Sequence, residues 1–275
     1  MTNPPPHTGI DWEDAFNNGD HIPGGDAFPA IWEQRSRAFR ADCPHLEEDI
    51  VYGDAPRERL DLFHPSGPAK GLVMFVHGGY WMKMTKSLWS DLAAGPLAHG
   101  WAVAMPSYTL APEARIAQIT QQIGAAVTIA SGLVKGPIRL TGHSAGGHLV
   151  TRMVCADSPL PGDVQGRIAS VVSISGVHDL RPLRRHSMNG VLGLDASEAE
   201  AESPVLKAPL PDIPVTCWTG ALERPEFLRQ AQMLTEAWAD KTEMRPTVFE
   251  PDRHHFNVIE GLKDPDHALT AALLA

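Results

Sequence analysis

Cysteine is scarce in this 275-residue chain: Cys43, Cys155 and Cys217 are the only three. They stand far apart and form no C-x-x-C pair, which argues against a disulfide framework and predicts reduced thiols in a cytoplasmic protein. No motif supports any of them as a nucleophile. No apolar run reaches the roughly 18 residues of a membrane span. Residues 1–7 lack a basic n-region and an apolar h-region, so no signal peptide is expected. Basic clusters are missing too. The net charge is -10 and no block of five Lys or Arg occurs, which argues against nucleic acid and anionic membranes as partners. Internal repeats and low-complexity linkers are absent, so residues 1–275 are expected to form one domain.

Enough apolar residues are present, at 43%, for a buried core. Alternating segments at 47–52 and 59–64 predict two half-buried strands. Continuous apolar runs follow at 72–76, 101–105, 138–141, 168–174 and 214–220, with a last strand at 244–250. Such runs suit strands covered on both faces. Helical spacing appears at 28–40, 87–99, 116–134, 145–156, 226–239 and 257–275. Strands alternating with helices predict an α/β fold with a mostly parallel sheet, helices on both faces and right-handed crossovers. In such a sheet, functional groups collect at the carboxyl ends of the strands. Residues 1–45 read as an arm. Pro4, Pro5 and Pro6 exclude helix there, and Trp12, Phe16, Phe28 and Trp32 predict that the arm packs on the core. Residues 184–210 have weak periodicity and are the expected place for a small helical lid.

The run at 138–141 leads into Gly142-His143-Ser144-Ala145-Gly146. A serine between glycines, on a sharp turn from strand to helix, is held in a strained conformation that exposes its hydroxyl. N–H groups at the start of the following helix face any negative charge that develops there. The run at 72–76 delivers His77-Gly78-Gly79-Tyr80-Trp81. Its glycines free the backbone to turn N–H groups towards a substrate oxygen, so Gly78, Gly79 and Ala145 are the expected oxyanion hole. His77 reads as structural, and Tyr80 and Trp81 as rim residues able to contact an aromatic substrate. Serine at its ordinary pKa needs a neutral imidazole as base and a carboxylate to orient it, in the chain order Ser, acid, His. The loop after the last strand holds His254 and His255. Adjacent histidines cannot point the same way, and His255 precedes the segment that turns back into the core. The acid belongs after the strand that ends at Gly220. Glu223 lies in that turn, whereas Glu226 suits the first turn of the next helix. Asp179 reads as a helix cap or a partner of Arg181. No third ligand has plausible spacing to make His254-His255 a metal site. The reading calls for no metal and no cofactor, only a small-molecule substrate; homodimerisation is left open.

These segments resemble a known family. His77-Gly78-Gly79-Tyr80-Trp81, Tyr108-Thr109-Leu110-Ala111-Pro112-Glu113 and Gly142-His143-Ser144-Ala145-Gly146-Gly147-His148-Leu149 are similar to α/β-hydrolases of the hormone-sensitive-lipase type. More narrowly, Ser175-Gly176-Val177-His178-Asp179-Leu180-Arg181-Pro182-Leu183, Pro225-Glu226-Phe227 and His255-Phe256 resemble the kynurenine formamidases (arylformamidases). The resemblance covers most of the chain from about residue 50. It implies Glu223 and His255 at the acid and base positions, with Glu where the family commonly has Asp. It also implies hydrolysis of N-formyl-L-kynurenine to formate and kynurenine, in tryptophan breakdown. Two other functions suit the residues: a carboxylesterase for small acyl or aryl esters, and a non-catalytic binding protein on the same scaffold. The second would normally have lost the serine or the histidine, and this chain keeps both.

Overall fold

The computed structural model describes residues 9–275. The expectation for Pro4 to Pro6 lies outside them. Among these described residues, eight strands form one sheet: β1 (Leu46–Val51), β2 (Arg59–Phe63), β3 (Leu72–Val76), β4 (Ala102–Pro106), β5 (Ile138–His143), β6 (Ile168–Ile174), β7 (Val215–Gly220) and β8 (Val248–Glu250). Their order is β1-β2-β4-β3-β5-β6-β7-β8. β1, β2 and β4 pair antiparallel, and every pair from β4 to β8 is parallel.

The continuous apolar runs are the central strands, and alternation along them divides the core. In β3, Leu72, Met74 and Val76 join the cluster on one face, while Val73 and Phe75 join the cluster on the other. Helices Ile116–Leu133, Ala145–Arg152 and Pro225–Trp238 cover the first face. Helix Phe28–Ala41 and the segments around 86–98 and 258–274 cover the second. Burying each large apolar side chain contributes roughly 2–3 kcal/mol before entropy is counted.

The arm touches both faces. Phe16 packs in the first cluster, against Phe227 at 6.1 Å, and Trp32 in the second, 4.7 Å from Trp89. The stretch between them must therefore cross the sheet. It does so at the carboxyl ends of the strands, where Asn17, Asn18 and Asp26 border a cavity. A buried charge cluster fixes the arm helix to the sheet: Asp61 on β2 accepts from Arg40 at 2.6 Å and from Lys86 at 2.7 Å.

Three expected elements are interrupted. The helix at 87–99 is two 3₁₀ turns, Lys86–Leu88 and Ser90–Ala93, parted at Trp89 with φ -123°, then helix Ala94–Ala98, where Pro96 supplies no N–H to the Leu92 carbonyl. The final helix at 257–275 breaks around Pro265 into Val258–Lys263 and Ala268–Leu274. The strand expected at 244–250 keeps only Val248–Glu250. Met244 makes an isolated bridge to Val215, and Pro246 cannot donate to a ladder.

Acid should loosen this core. His77, His148 and His178 are buried, and burial pushes their imidazolium pKa values down to about 4, 3 and 3. Unfolded, they return to about 6.5. Below pH 6.5 the unfolded chain therefore binds more protons, and stability falls as pH drops from 6.5 towards 4. Each histidine contributes a loss of up to about 1.4 kcal/mol per pH unit. The urea midpoint should be clearly lower at pH 5.5 than at pH 7.5; an unchanged midpoint would contradict this balance.

Candidate active site

Ser144 stands between β5 and helix Ala145–Arg152 at φ 56° and ψ -116°, a strained conformation for a residue with a side chain. Its glycine neighbours are required by space. A Cβ on Gly146 would lie 1.9 Å from the Val76 carbonyl oxygen, and one on Gly142 would lie 2.4 Å from that of Gly146. The elbow is thus pressed backbone to backbone against β3. Gly146→Ala should cost about 3 kcal/mol or more. Chemical denaturation measures this, and a variant of parental stability would show that the elbow can move.

After β3, the His77-Gly78-Gly79 turn meets the elbow. A Cβ on Gly78 would lie 3.0 Å from Ser144 Cβ, so the loop backbone runs beside the serine. Gly79 has φ +107°, where glycine is favoured. Among the described residues, neither Gly78 nor Gly79 N–H has a protein acceptor. Ala145 opens its helix, so its N–H has no acceptor within the helix either. These three N–H groups, without a protein acceptor among the described residues, belong to the two turns that meet at the serine. His77 Nδ1 bonds to the Gly78 carbonyl at 2.7 Å, and its ring stacks on Tyr108 at 4.4 Å. That contact holds the loop, as the sequence suggested.

Glu223 and His255 meet. His255 Nδ1 lies 2.6 Å from Glu223 Oε2, which as a carboxylate accepts from it. Both residues are buried. Phe227 packs on the His255 ring at 4.4 Å. His143, inside the serine motif, donates from Nε2 to the His255 carbonyl at 2.8 Å. Burial, then the neighbouring His255, holds the His143 pKa well below its ordinary value, so it serves as a neutral strut. The other candidates are engaged elsewhere. Glu226 pairs with Arg229 at 2.7 Å and accepts from Gln230, Asp179 pairs with Arg181 at 2.8 Å, and the His254 ring turns to Phe28 at 5.4 Å.

Ser144 and His255 line one cavity of about 710 Å³; among the described residues no hydrogen bond joins them. Such bonds often tighten only when substrate is bound. The rim includes Tyr80, Lys83 and Met84 from the loop after β3, the arm, and His186 and Met188 from the expected lid segment. Within 184–210, helices Asn189–Leu192 and Ala196–Ala201 form, and Glu198 of the latter pairs with Arg115. The arm is strapped at several points. Tyr80 donates its hydroxyl to the Phe16 carbonyl and accepts from Asn18 at 3.3 Å. Arg224 binds Asp14, and Ser187 donates its hydroxyl to Glu13 at 2.8 Å.

Trp81 corrects an expectation. It does not border the cavity but is fully buried in the core, edge-on to His148 at 5.1 Å. Tyr80 and Trp81 both have positive φ, 51° and 56°, so the chain coils tightly after the glycines and the two side chains part, Tyr80 to the cavity and Trp81 inward. Ser175 and His143 are contacts that the sequence reading did not single out. Ser175 donates to Glu223 Oε1. In sequence it opens the segment from Ser175 to Leu183 that resembles the family, one residue beyond β6 and next to the strand that carries the acid, but nothing there points to Glu223.

Comparison with known proteins gives the family and the fold. The BD-FAE family model matches residues 60–212. A kynurenine formamidase of Danio rerio is 31% identical over 242 residues, covering 82% of this chain and 80% of that protein. A crystal structure from Silicibacter sp. TM1040, of a protein provisionally assigned as a thioesterase, superposes with a TM-score of 0.92. It is 48% identical, with 97% of this chain and 100% of that one covered. Esterase B of Lactobacillus rhamnosis shares the fold at a TM-score of 0.67 and 19% identity, over 90% and 91% of the two chains. Among the described residues, no helix is long and apolar enough to cross a membrane. With the sheet order, the serine elbow and these likenesses together, the chain belongs to the BD-FAE family and, within the α/β-hydrolases, to the kynurenine formamidase-like enzymes.

Proposed function

We propose that this hydrolase cleaves an aryl formamide, N-formyl-L-kynurenine in the first instance, through a Ser144–His255–Glu223 triad. The observation that carries the triad is the 2.6 Å contact between His255 and Glu223, made by a histidine that shares its cavity with Ser144. His255 Nε2 takes the hydroxyl proton as Ser144 Oγ attacks the formyl carbon. The tetrahedral oxyanion lies against the N–H groups of Ala145 and of Gly78 or Gly79. Glu223 stabilises the imidazolium, which protonates the departing arylamine. A formyl-enzyme remains. Water, deprotonated by His255, attacks it and releases formate. No metal or organic cofactor enters these steps.

The substrate rests on the name borne by the Danio rerio relative. The cavity is compatible with it. Its volume lies within the usual range for small-molecule sites, and the Tyr80 ring on its wall can take an aromatic group. The setting that follows is a cytoplasmic step of tryptophan breakdown. Ester or thioester hydrolysis is the second reading, favoured by the 48% identical protein assigned as a thioesterase. Steady-state kinetics on N-formyl-L-kynurenine beside p-nitrophenyl acetate separate the two. A much higher kcat/KM for the formamide supports the first reading, and cleavage of the ester alone supports the second.

A further inference from the structure

We propose that Ser175 is a positioning residue for the acid of this site, its buried hydroxyl fixing one oxygen of Glu223 so that the other faces His255. The inference rests on the triad reading above. β6 and β7 are neighbours with Ile174 opposite Trp218, and the Ser175 N–H continues the pairing to the Trp218 carbonyl at 2.8 Å. Ser175 thereby stands beside the turn that holds Glu223. The two carboxylate oxygens divide their work. Oε1 accepts from Ser175 Oγ and, at 2.8 Å, from the Gly220 N–H. Oε2 is left to His255 Nδ1, at 2.6 Å. Glutamate has one more rotatable bond than the aspartate it replaces in the family pattern, so a single backbone donor would leave its carboxylate freer to rotate. The serine adds a second donor on the same oxygen.

Backbone conformation points the same way. Ser175 is fully buried and has φ +50°, a region where glycine is the unstrained choice. A serine held there is an outlier that needs a reason, and the contact made by its hydroxyl supplies one.

That same φ makes the test clean. Ser175→Gly removes the hydroxyl and relieves the backbone, whereas Ser175→Ala removes the hydroxyl and keeps the strain. Both variants should lower kcat on N-formyl-L-kynurenine about tenfold with little change in KM, the factor expected for loss of one hydrogen bond to a charged group. Ser175→Gly should melt higher than Ser175→Ala, since both lose the hydroxyl and only the glycine relieves the backbone. In a Glu223→Gln background, the further change Ser175→Gly should alter kcat less than about twofold, because the two residues act as one unit. If Ser175 only supported the fold, Ser175→Gly would keep parental kcat while Ser175→Ala lost activity with its stability, and the proposal would be overturned. Parental kcat in both variants, with Glu223→Gln crippled, would overturn it and leave the triad standing. Parental kcat in Glu223→Gln itself would overturn the triad reading and this proposal together.

Discussion

Ser144→Ala is expected to lower kcat/KM by at least about 10⁴-fold, with no loss of stability. The hydroxyl is the nucleophile in the account above, and no other group in the cavity can replace the covalent step. What survives is the contribution of the oxyanion donors and of substrate positioning, which neighbouring groups can still supply to an attacking water. Alanine carries the same Cβ into the same φ of 56°, so the strain of the elbow is unchanged and the melting temperature should be too. Ser144→Gly should be equally inactive and more stable, because glycine adopts this conformation without strain. Activity assays and thermal melts on the three proteins check both halves. An active alanine variant would remove the serine from the mechanism.

The second large effect is expected at the acid. Glu223→Gln keeps the shape of the side chain but replaces a charged acceptor by a neutral amide beside a buried histidine. The imidazolium that forms during catalysis then loses its counter-charge, and the tautomer that presents an unprotonated nitrogen to Ser144 is no longer enforced. A fall of about 10³- to 10⁴-fold in kcat follows, with KM little altered. Glu226→Gln should stay within about threefold of the parent, because that carboxylate faces Arg229 and Gln230 and not the histidine. Equal losses in the two variants would mean that Glu223 acts through the fold alone.

Much of the scaffold could be read from residue order. β3 and β6 have the bounds expected of them, since an apolar run bordered by turn residues leaves little choice of register. Ser144, Glu223 and His255 could be selected because each follows a strand, and carboxyl ends of parallel strands converge. The misses have local causes. Pro246 and Pro265 cut segments whose apolar spacing suggested continuity, and the 87–99 helix is parted at Trp89. Trp81 follows two glycines in a motif that suggests a rim, yet two successive positive φ values send its indole into the core. Ser175 opens a segment that resembles the family, but its contact depends on strand neighbours some fifty positions apart in sequence, Ser175 with Glu223. The path of the arm across the strand ends is likewise a tertiary result. Aromatic residues at 12, 16, 28 and 32 signalled packing, but not that the first pair joins one core cluster and Trp32 the other.

The most direct test of the central claim is to treat the protein with a serine-reactive aryl phosphonate and map the adduct by mass spectrometry, with and without N-formyl-L-kynurenine. The account predicts one adduct per chain, on Ser144, formed in step with the loss of formamidase activity, slowed by the formamide and absent from Ser144→Ala. An adduct on another residue, or full turnover of the formamide by labelled protein, would contradict it.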